Sequence, residues 1–269
     1  YSGPKEPIPI LIGGLSRLEY RGYASAGVAI LDGKKLTIEK KEGKLQVLKD
    51  HLEDKKIIGN IGIGHTRWAT HGIPNNINAH PHSDNQKEFA IIHNGIIENY
   101  AEMKDDLLKE NYIFESDTDT EVVAVELGNQ WTGRLLETVT NVAKKLDGTY
   151  ALVVTSTKEP GTIVAGRMMS PLVLGVGEGE TFLASDSAAI LEHTNKMIFL
   201  ENGDFVEITN GKFKLFDINM NEISREIQEI DWKVSEAEKS GYDHFMYKEI
   251  LEQAEVIERT ISGLSLIHI

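Results

Sequence analysis

The 269-residue sequence contains no cysteine, which excludes disulfide bonds, thiolate metal ligands and a cysteine nucleophile within these residues. It also lacks any run that approaches the roughly 18 apolar residues of a membrane span, and no segment has the charged-then-apolar order of a signal peptide. The formal net charge is −14 at pH 7, whereas a general nucleic-acid-binding surface is basic. We therefore expect a cytoplasmic protein with no membrane or nucleic-acid partner.

The composition is that of an ordinary soluble protein, with 41% apolar and 26% charged residues. The length suits one large domain or two smaller ones. The chain begins at Tyr1 rather than Met, and residues 264–269, Leu-Ser-Leu-Ile-His-Ile, resemble a translated tail rather than part of a fold. We expect a fragment whose natural N-terminus is missing and whose last six residues are not native.

The order of predicted elements indicates the fold class. Hydrophobic periodicity predicts strands that end near His65 and Ile92, then helices over 100–110, 120–131 and 135–145. A long series of strands follows from Tyr150 onward. Runs of strands around a block of helices, without regular alternation, are typical of an α+β fold with largely antiparallel sheets. Two sheets covered by helix layers would bury these strands most simply.

The predicted domain boundary lies at Ile230, beyond which the chain becomes polar. A thin apolar stripe predicts one helix over 244–261. We therefore predict a domain over 1–230, followed by a linker and helix over 231–263.

The stretch from His65 to Gly72 carries the first candidate site residues. It follows an apolar strand predicted over 61–64, with glycines within the strand and at Gly59 before it, and it presents Arg67, Trp68, Thr70 and His71. The glycines superficially resemble a phosphate-binding loop, but they lie before and within the strand, so we interpret them as sites of close packing. Arg67 can hold an α-carboxylate through two charge-assisted hydrogen bonds. A salt-bridged surface arginine is the alternative.

Two further positions have chemistry suited to a small amino acid. Asp119 can accept an α-ammonium group, and Asn94 with the Gly95 amide can donate to an oxyanion. Glycine would let that backbone amide approach a ligand closely. The alternatives are a helix-start charge for Asp119 and a tight turn for Asn94-Gly95. The spacing of His80-Pro81-His82 matches no familiar zinc site, so we predict no metal.

Four separated blocks, in the same order, resemble the glutaminase domain of the glutamine–fructose-6-phosphate aminotransferase (isomerizing) family. The blocks are Arg-Leu-Glu-Tyr-Arg-Gly-Tyr at 17–23, His-Thr-Arg-Trp-Ala-Thr-His-Gly at 65–72, His-Asn-Gly-Ile-Ile-Glu-Asn at 93–99 and Thr-Asp-Thr-Glu at 118–121. Residues 241–250 also resemble the linker of that family. Other class II glutamine amidotransferases differ at these blocks.

The resemblance implies an N-terminal-nucleophile hydrolase fold, an αββα sandwich of two antiparallel sheets between helix layers. It implies that glutamine is hydrolysed to supply ammonia. Sugar isomerase domains beyond residue 263 would use that ammonia and fructose 6-phosphate to form glucosamine 6-phosphate. No cofactor is implied, and the parent protein is expected to be a homodimer.

The resemblance also implies roles for individual residues. Arg67 would bind the glutamine α-carboxylate, with Thr70 and His71 in the same loop, and Asp119 would bind the α-ammonium. Asn94 and Gly95 would form the oxyanion hole. Trp68 would lie on the loop that closes over glutamine. Arg21 would support the surroundings of the nucleophile.

The sequence departs from the family pattern at the nucleophile. In the family a cysteine stands at the mature N-terminus within Met-Cys-Gly-Ile-Val-Gly, a segment that would precede Tyr1, and Ser2 is no substitute. We therefore expect that the chain as given does not hydrolyse glutamine. Ala24 also stands where the family has Asp. The alternatives are a non-catalytic glutamine-binding module that lacks cysteine, and the glutaminase of another class II amidotransferase.

Overall fold

A computed structural model describes residues 1–33, 35–68 and 72–230, together with isolated positions between 246 and 257. The chain divides into two units, Tyr1–Ile230 and Asp231–Ile269. The predicted helix over 244–261, apart from those isolated positions, and the predicted tail at 264–269 lie outside the described residues. No helix in the described part of the chain has the length and apolar character needed to cross a membrane.

The first unit contains helices and strands at the following bounds. Its helices are α1 Pro7–Leu18, α2 Leu45–Glu53, α3 Tyr100–Lys109, α4 Asp119–Asn129 and α5 Leu135–Ala143. Its strands are β1 Ser25–Asp32, β2 Lys35–Glu42, β3 Ile61–Arg67, β4 His82–Ser83, β5 Phe89–Ile97, β6 Gly148–Ser156, β7 Thr162–Met168, β8 Val173–Val176, β9 Thr181–Ala184, β10 Lys196–Phe199, β11 Phe205–Thr209, β12 Lys212–Phe216, β13 Glu222–Ile223 and β14 Gln228–Glu229.

The strands pair antiparallel in two layers. One layer is a seven-stranded sheet in the order β13-β12-β11-β7-β6-β5-β4. The other contains a three-stranded group, β2-β1-β3, and a four-stranded group, β14-β10-β8-β9. Ser2 joins these two groups, because it pairs with Ile61 of β3 and with Thr181 of β9. The N-terminal residues therefore lie between β3 and β9.

Three buried clusters define the layers of the sandwich. One lies between the two sheets and includes Ala29, Ile63 and Val153. A second lies between the seven-stranded sheet and the helices α4 and α5. A third lies between the three-stranded group and the helices α1 and α2, where Val28 points. Neighbouring residues such as Val28 and Ala29 enter different clusters because strand side chains alternate between faces. The predicted α+β sandwich of two antiparallel sheets between helix layers is confirmed.

The glycines of β3 let helix α1 pack against the strand. A Cβ atom built on Gly62 would lie 2.7 Å from the Cβ of Pro7, and one on Gly64 would lie 3.2 Å from Leu15 Cδ1. Glycine permits this approach because it has no side chain. The interpretation of these glycines as sites of close packing is confirmed.

Strand β5 differs from its prediction. It does not end near Ile92 but continues to Ile97, and Asn94 and Gly95 pair with Ala151 and Tyr150 of β6. The tight-turn alternative for Asn94-Gly95 is therefore wrong. Polar residues interrupt the apolar pattern here, although the backbone ladder is continuous.

Candidate active site

A cavity of about 370 Å³ opens near the end of β3, and helix α1 and strands of both sheets line it. Side chains from separated parts of the sequence line it. Among the lining residues are Arg21, Arg67, Trp68, Asn94, Gly95 and Asp119. Six of the eight site residues predicted from sequence thus line the same cavity. The other two, Thr70 and His71, lie outside the described residues.

Arg67 is the last residue of β3 and is only 5% exposed. Its carbonyl accepts a hydrogen bond from the Ala24 amide at 3.0 Å, and its Nη2 donates to the Gly72 carbonyl at 3.5 Å. Burial lowers the pKa of the guanidinium, while the nearby Asp119 carboxylate opposes this change. An arginine nevertheless stays charged at neutral pH. The surface-ion-pair alternative is therefore wrong, because this cation is buried in a cavity wall.

Asp119 is the first residue of α4 and is 8% exposed. The preceding Thr118 caps the helix, since its Oγ1 accepts a hydrogen bond from the Glu121 amide at 3.3 Å. The Asp119 carboxylate accepts hydrogen bonds from the Ile97 amide at 2.9 Å and from Thr120 Oγ1 at 3.2 Å. Asp119 is thus both a helix-start charge and a fixed anion in the cavity wall.

Asn94 and Gly95 bring hydrogen-bonding groups to the cavity from β5. Gly95 has φ of +136°, and a Cβ there would lie 2.0 Å from the Thr149 carbonyl oxygen. Only glycine fits this backbone, because a side chain would collide with β6. The Oδ1 atom of Asn94 lies 2.9 Å from His65 Nε2. The NH2 group of Asn94 therefore remains as the donor that can face the cavity.

Four buried histidines, His65, His80, His82 and His93, form a cluster next to these residues, and all but His82 line the cavity. Their rings make hydrogen bonds, such as that between His82 Nε2 and Thr118 Oγ1 at 3.0 Å. Burial lowers the pKa of His65 to about 4 and the pKa values of the other three below 6.5. The cluster is therefore uncharged at neutral pH, and it contributes shape and hydrogen bonds rather than charge.

Arg21 and Trp68 lie at the edge of the cavity. Arg21 Nη2 forms a 2.7 Å ion pair with Asp186, which links the end of α1 to the loop after β9. Trp68 is 57% exposed and contacts Tyr23 edge to face, with ring centroids 5.3 Å apart. Ala24, which stands where the family has Asp, contributes its backbone amide to the Arg67 carbonyl. Its methyl side chain offers no polar contact.

Sequence reasoning missed the supporting residues His65, Thr120 and Asn78. Asn78 is 1% exposed, and it accepts a hydrogen bond from the Asp117 amide at 3.0 Å. Strand alternation could have found His65, since residues i and i+2 share a face and Arg67 was already a candidate. No sequence pattern marks Asn78, because it lies in a loop and its hydrogen-bond partner, Asp117, is distant in sequence.

Comparison with known proteins identifies the class. Residues 44–248 match the family model described as the glutamine amidotransferase domain. The chain therefore belongs to the glutamine amidotransferase domain family. Its fold is similar to that of the glutamine phosphoribosylpyrophosphate amidotransferase from B. subtilis in complex with ADP and GMP. The TM-score is 0.71 and the identity 28%, over 82% of this chain and 49% of that one. The N-terminal-nucleophile hydrolase fold expected from sequence is confirmed.

Within the class, the sequence is similar to curated glutamine–fructose-6-phosphate aminotransferases (isomerizing). It is 47% identical to that of Fusobacterium nucleatum over 97% of this chain and 43% of the relative. It is 48% identical to that of Clostridium tetani and 47% identical to that of Aquifex aeolicus, each over 98% of this chain. The resemblance drawn from the four sequence blocks is confirmed. The chain spans less than half the length of these relatives.

Proposed function

We propose that this chain belongs to the glutamine-hydrolysing domain of a glutamine–fructose-6-phosphate aminotransferase and that this domain, when it carries a cysteine nucleophile, releases ammonia from glutamine. One observation carries the proposal. A buried cation, a buried anion and an oxyanion-type donor pair line the same cavity, from Arg67, Asp119 and Asn94-Gly95. These groups match the α-carboxylate, the α-ammonium and the carboxamide of glutamine.

The two charged residues would recognise the amino acid end of glutamine. Arg67 binds the α-carboxylate through two parallel hydrogen bonds, and Asp119 accepts the α-ammonium. Both side chains are buried, so water screens these contacts little. Trp68, at the edge of the cavity, covers the ligand, and we propose that Thr70 and His71 also contribute to glutamine binding. Arg21 holds the neighbouring loop through Asp186.

The pairing of the N-terminal residues indicates where a nucleophile on a segment before Tyr1 would lie. Ser2 exchanges two hydrogen bonds with Thr181, at 3.0 and 2.8 Å, and also pairs with Ile61. At the position of Ser2, the N-terminal segment is thus the single strand between β3 and β9. Since the pairing with β3 is antiparallel, a segment placed before Tyr1 would run along β3 toward Arg67.

We propose that the parent protein supplies a cysteine nucleophile on such a segment. If the register of Ser2 with Ile61 continues, the fifth residue before Tyr1 lies opposite Arg67. In Met-Cys-Gly-Ile-Val-Gly, joined to Tyr1, this residue is the cysteine. Continued in this way, the register would bring the thiol to the part of the cavity wall that carries Arg67, the proposed carboxylate-binding residue.

The chemistry would be nucleophilic acyl transfer. The cysteine thiolate attacks the carboxamide carbon, and the α-amino group of the cysteine takes up the thiol proton. The carbonyl oxygen becomes an oxyanion that accepts hydrogen bonds from the Asn94 NH2 and the Gly95 amide. The α-ammonium group returns its proton to the amide nitrogen as the C–N bond breaks, so that ammonia leaves. Water then hydrolyses the thioester, which releases glutamate and restores the thiol.

The test compares three proteins: the 269-residue chain, the same chain preceded by Met-Cys-Gly-Ile-Val-Gly, and a matched extension with Ala in place of Cys. Removal of the initiating Met is checked by mass spectrometry. We expect the cysteine extension alone to convert glutamine to equimolar glutamate and ammonia. If that protein folds and binds glutamine without hydrolysing it, the chain is a non-catalytic glutamine-binding module. If it does not bind glutamine, the proposal is wrong.

At the level of the parent protein, we propose that further domains use the ammonia and fructose 6-phosphate to form glucosamine 6-phosphate. The names of the relatives and their greater length support this proposal. We also propose that the parent is a cytoplasmic homodimer. Glucosamine 6-phosphate formation by the purified parent from glutamine and fructose 6-phosphate would test the acceptor, and its molar mass in solution would test the assembly.

A further inference from the structure

We infer that His65 is a positioning residue that turns the side-chain amide of Asn94 so that its NH2 group faces the cavity. The two residues come from different sheets, β3 and β5. His65 Nε2 and Asn94 Oδ1 are 2.9 Å apart. This inference rests on the proposed function, in which the Asn94 NH2 donates to the oxyanion of the reacting carboxamide.

The ring of His65 is held rigidly. It stacks on the ring of His80, with centroids 4.3 Å apart and an interplanar angle of 18°. The His80 ring is fixed in turn, because its Nδ1 accepts a hydrogen bond from the His93 amide at 3.4 Å. Gly27 of β1 allows the His80 backbone to approach, since a Cβ there would lie 2.2 Å from the His80 carbonyl oxygen. His65 therefore presents Nε2 to Asn94 in a fixed direction.

The direction of the hydrogen bond decides which end of the Asn94 amide faces the cavity. The two ends of an asparagine amide have nearly the same shape, so hydrogen-bond partners select the orientation. Asn94 Oδ1 can only accept, so Nε2 of His65 carries the hydrogen. Nδ1 of His65 is buried without a hydrogen-bond partner in the described part of the chain. With the hydrogen on Nδ1 instead, Asn94 would present its oxygen to the cavity and repel an oxyanion.

The kinetic test uses the chain with the cysteine extension. His65→Gln keeps an N–H donor near the position of Nε2, whereas His65→Leu removes it. We expect His65→Leu to lower kcat at least about tenfold, but by less than the roughly 10²–10³-fold cost of losing an oxyanion donor. KM for glutamine should stay within about threefold, because the lost interaction acts in the transition state. His65→Gln should recover most of kcat.

Testing His65→Leu in the Asn94→Ala variant as well distinguishes a loss of Asn94 positioning from a general loss of structure. In Asn94→Ala, which has no amide to orient, His65→Leu should cause no further loss of kcat. Thermal unfolding of every variant excludes misfolded protein. Equal losses in His65→Gln and His65→Leu, or losses that multiply in the Asn94→Ala background, would overturn the inference.

An NMR measurement on the 269-residue chain tests the inference without catalysis. Ring 15N shifts report which nitrogen of His65 carries the hydrogen, and we expect Nε2–H. An Nδ1–H tautomer would overturn the inference even if the extended chain hydrolyses glutamine. Conversely, Nε2–H in a chain whose cysteine extension is inactive would leave the His65–Asn94 orientation supported and the proposed function wrong.

Discussion

The Asp119 carboxylate accepts a hydrogen bond from the backbone amide of Ile97 at 2.9 Å. This contact ties the first turn of α4 to the end of β5. Because Asn94 and Gly95 lie on the same strand, the proposed ammonium-binding group and the proposed oxyanion donors are held in one rigid arrangement. An amino acid ligand must therefore have its α-ammonium and its reacting carbonyl at a separation that fits the distance between these two groups.

Replacement of the buried arginine should weaken glutamine capture. We expect Arg67→Ala in the 269-residue chain to reduce the binding free energy of L-glutamine by about 1.5–3 kcal/mol, the range for a hydrogen bond to a charged group. Isothermal titration calorimetry measures the change. Arg134→Ala is the matched control, since Arg134 pairs with Glu207 at an exposed site away from the cavity. Unchanged affinity in Arg67→Ala would remove this residue from carboxylate binding.

Acid should destabilise the first unit through its buried histidines. The folded-state pKa of His65 is lowered to about 4 from 6.5 by burial. Between these values the unfolded chain binds a proton that the folded chain does not, so the free energy of unfolding falls as pH falls. The loss from His65 alone is about 3 kcal/mol across this range, at about 1.4 kcal/mol per pK unit.

Denaturant unfolding at a series of pH values between about 7 and 4.5 measures this effect. His65→Gln, which cannot titrate here, should show a shallower decline than the unsubstituted chain. Parallel declines in the two proteins would contradict a neutral buried His65.

A single glycine substitution should stabilise the chain. Met169 has φ of +64° and is 67% exposed. The left-handed conformation costs a non-glycine residue roughly 1–2 kcal/mol, which exceeds the about 0.4–1 kcal/mol of extra chain entropy that glycine loses on folding. We expect Met169→Gly to raise the free energy of unfolding by about 0.5–1 kcal/mol. Met168→Gly, one residue earlier within β7, should lower it. A destabilised Met169→Gly would contradict the strain argument.

Much of the fold could be predicted from sequence because its elements have strong periodic patterns. The helices near 100–110, 120–131 and 135–145 and the strand series after Tyr150 match the observed α3–α5 and β6–β12 within a few residues. The two-residue strands β4, β13 and β14 could not be predicted, since no pattern exists over two residues. The 3₁₀ turn Ser187–Ala189 is likewise too short to have a hydrophobic period.

The site was predictable to the extent that its residues stand in recognisable blocks. Arg67, Asn94, Gly95 and Asp119 line one cavity as expected, and their roles remain predictions. Strand alternation explains why the Arg67 side chain lies in the cavity wall. Arg67 shares a face of β3 with Ile61 and Ile63, which belong to the inter-sheet cluster. The contact between His65 and Asn94 could not be read from sequence, because it depends on how two separate sheets face each other.

The central claim is that Arg67 and Asp119 together hold glutamine, and a ligand-and-protein cycle tests it most directly. L-Glutamine and glutaramate, which lacks the α-ammonium, are titrated into the 269-residue chain and into Asp119→Asn. This variant keeps an oxygen for the Ile97 amide. We expect glutaramate to bind the unsubstituted chain about tenfold or more weakly, and Asp119→Asn to remove that preference. Equal affinities for both ligands in the unsubstituted chain, or an unchanged preference in Asp119→Asn, would contradict the claim.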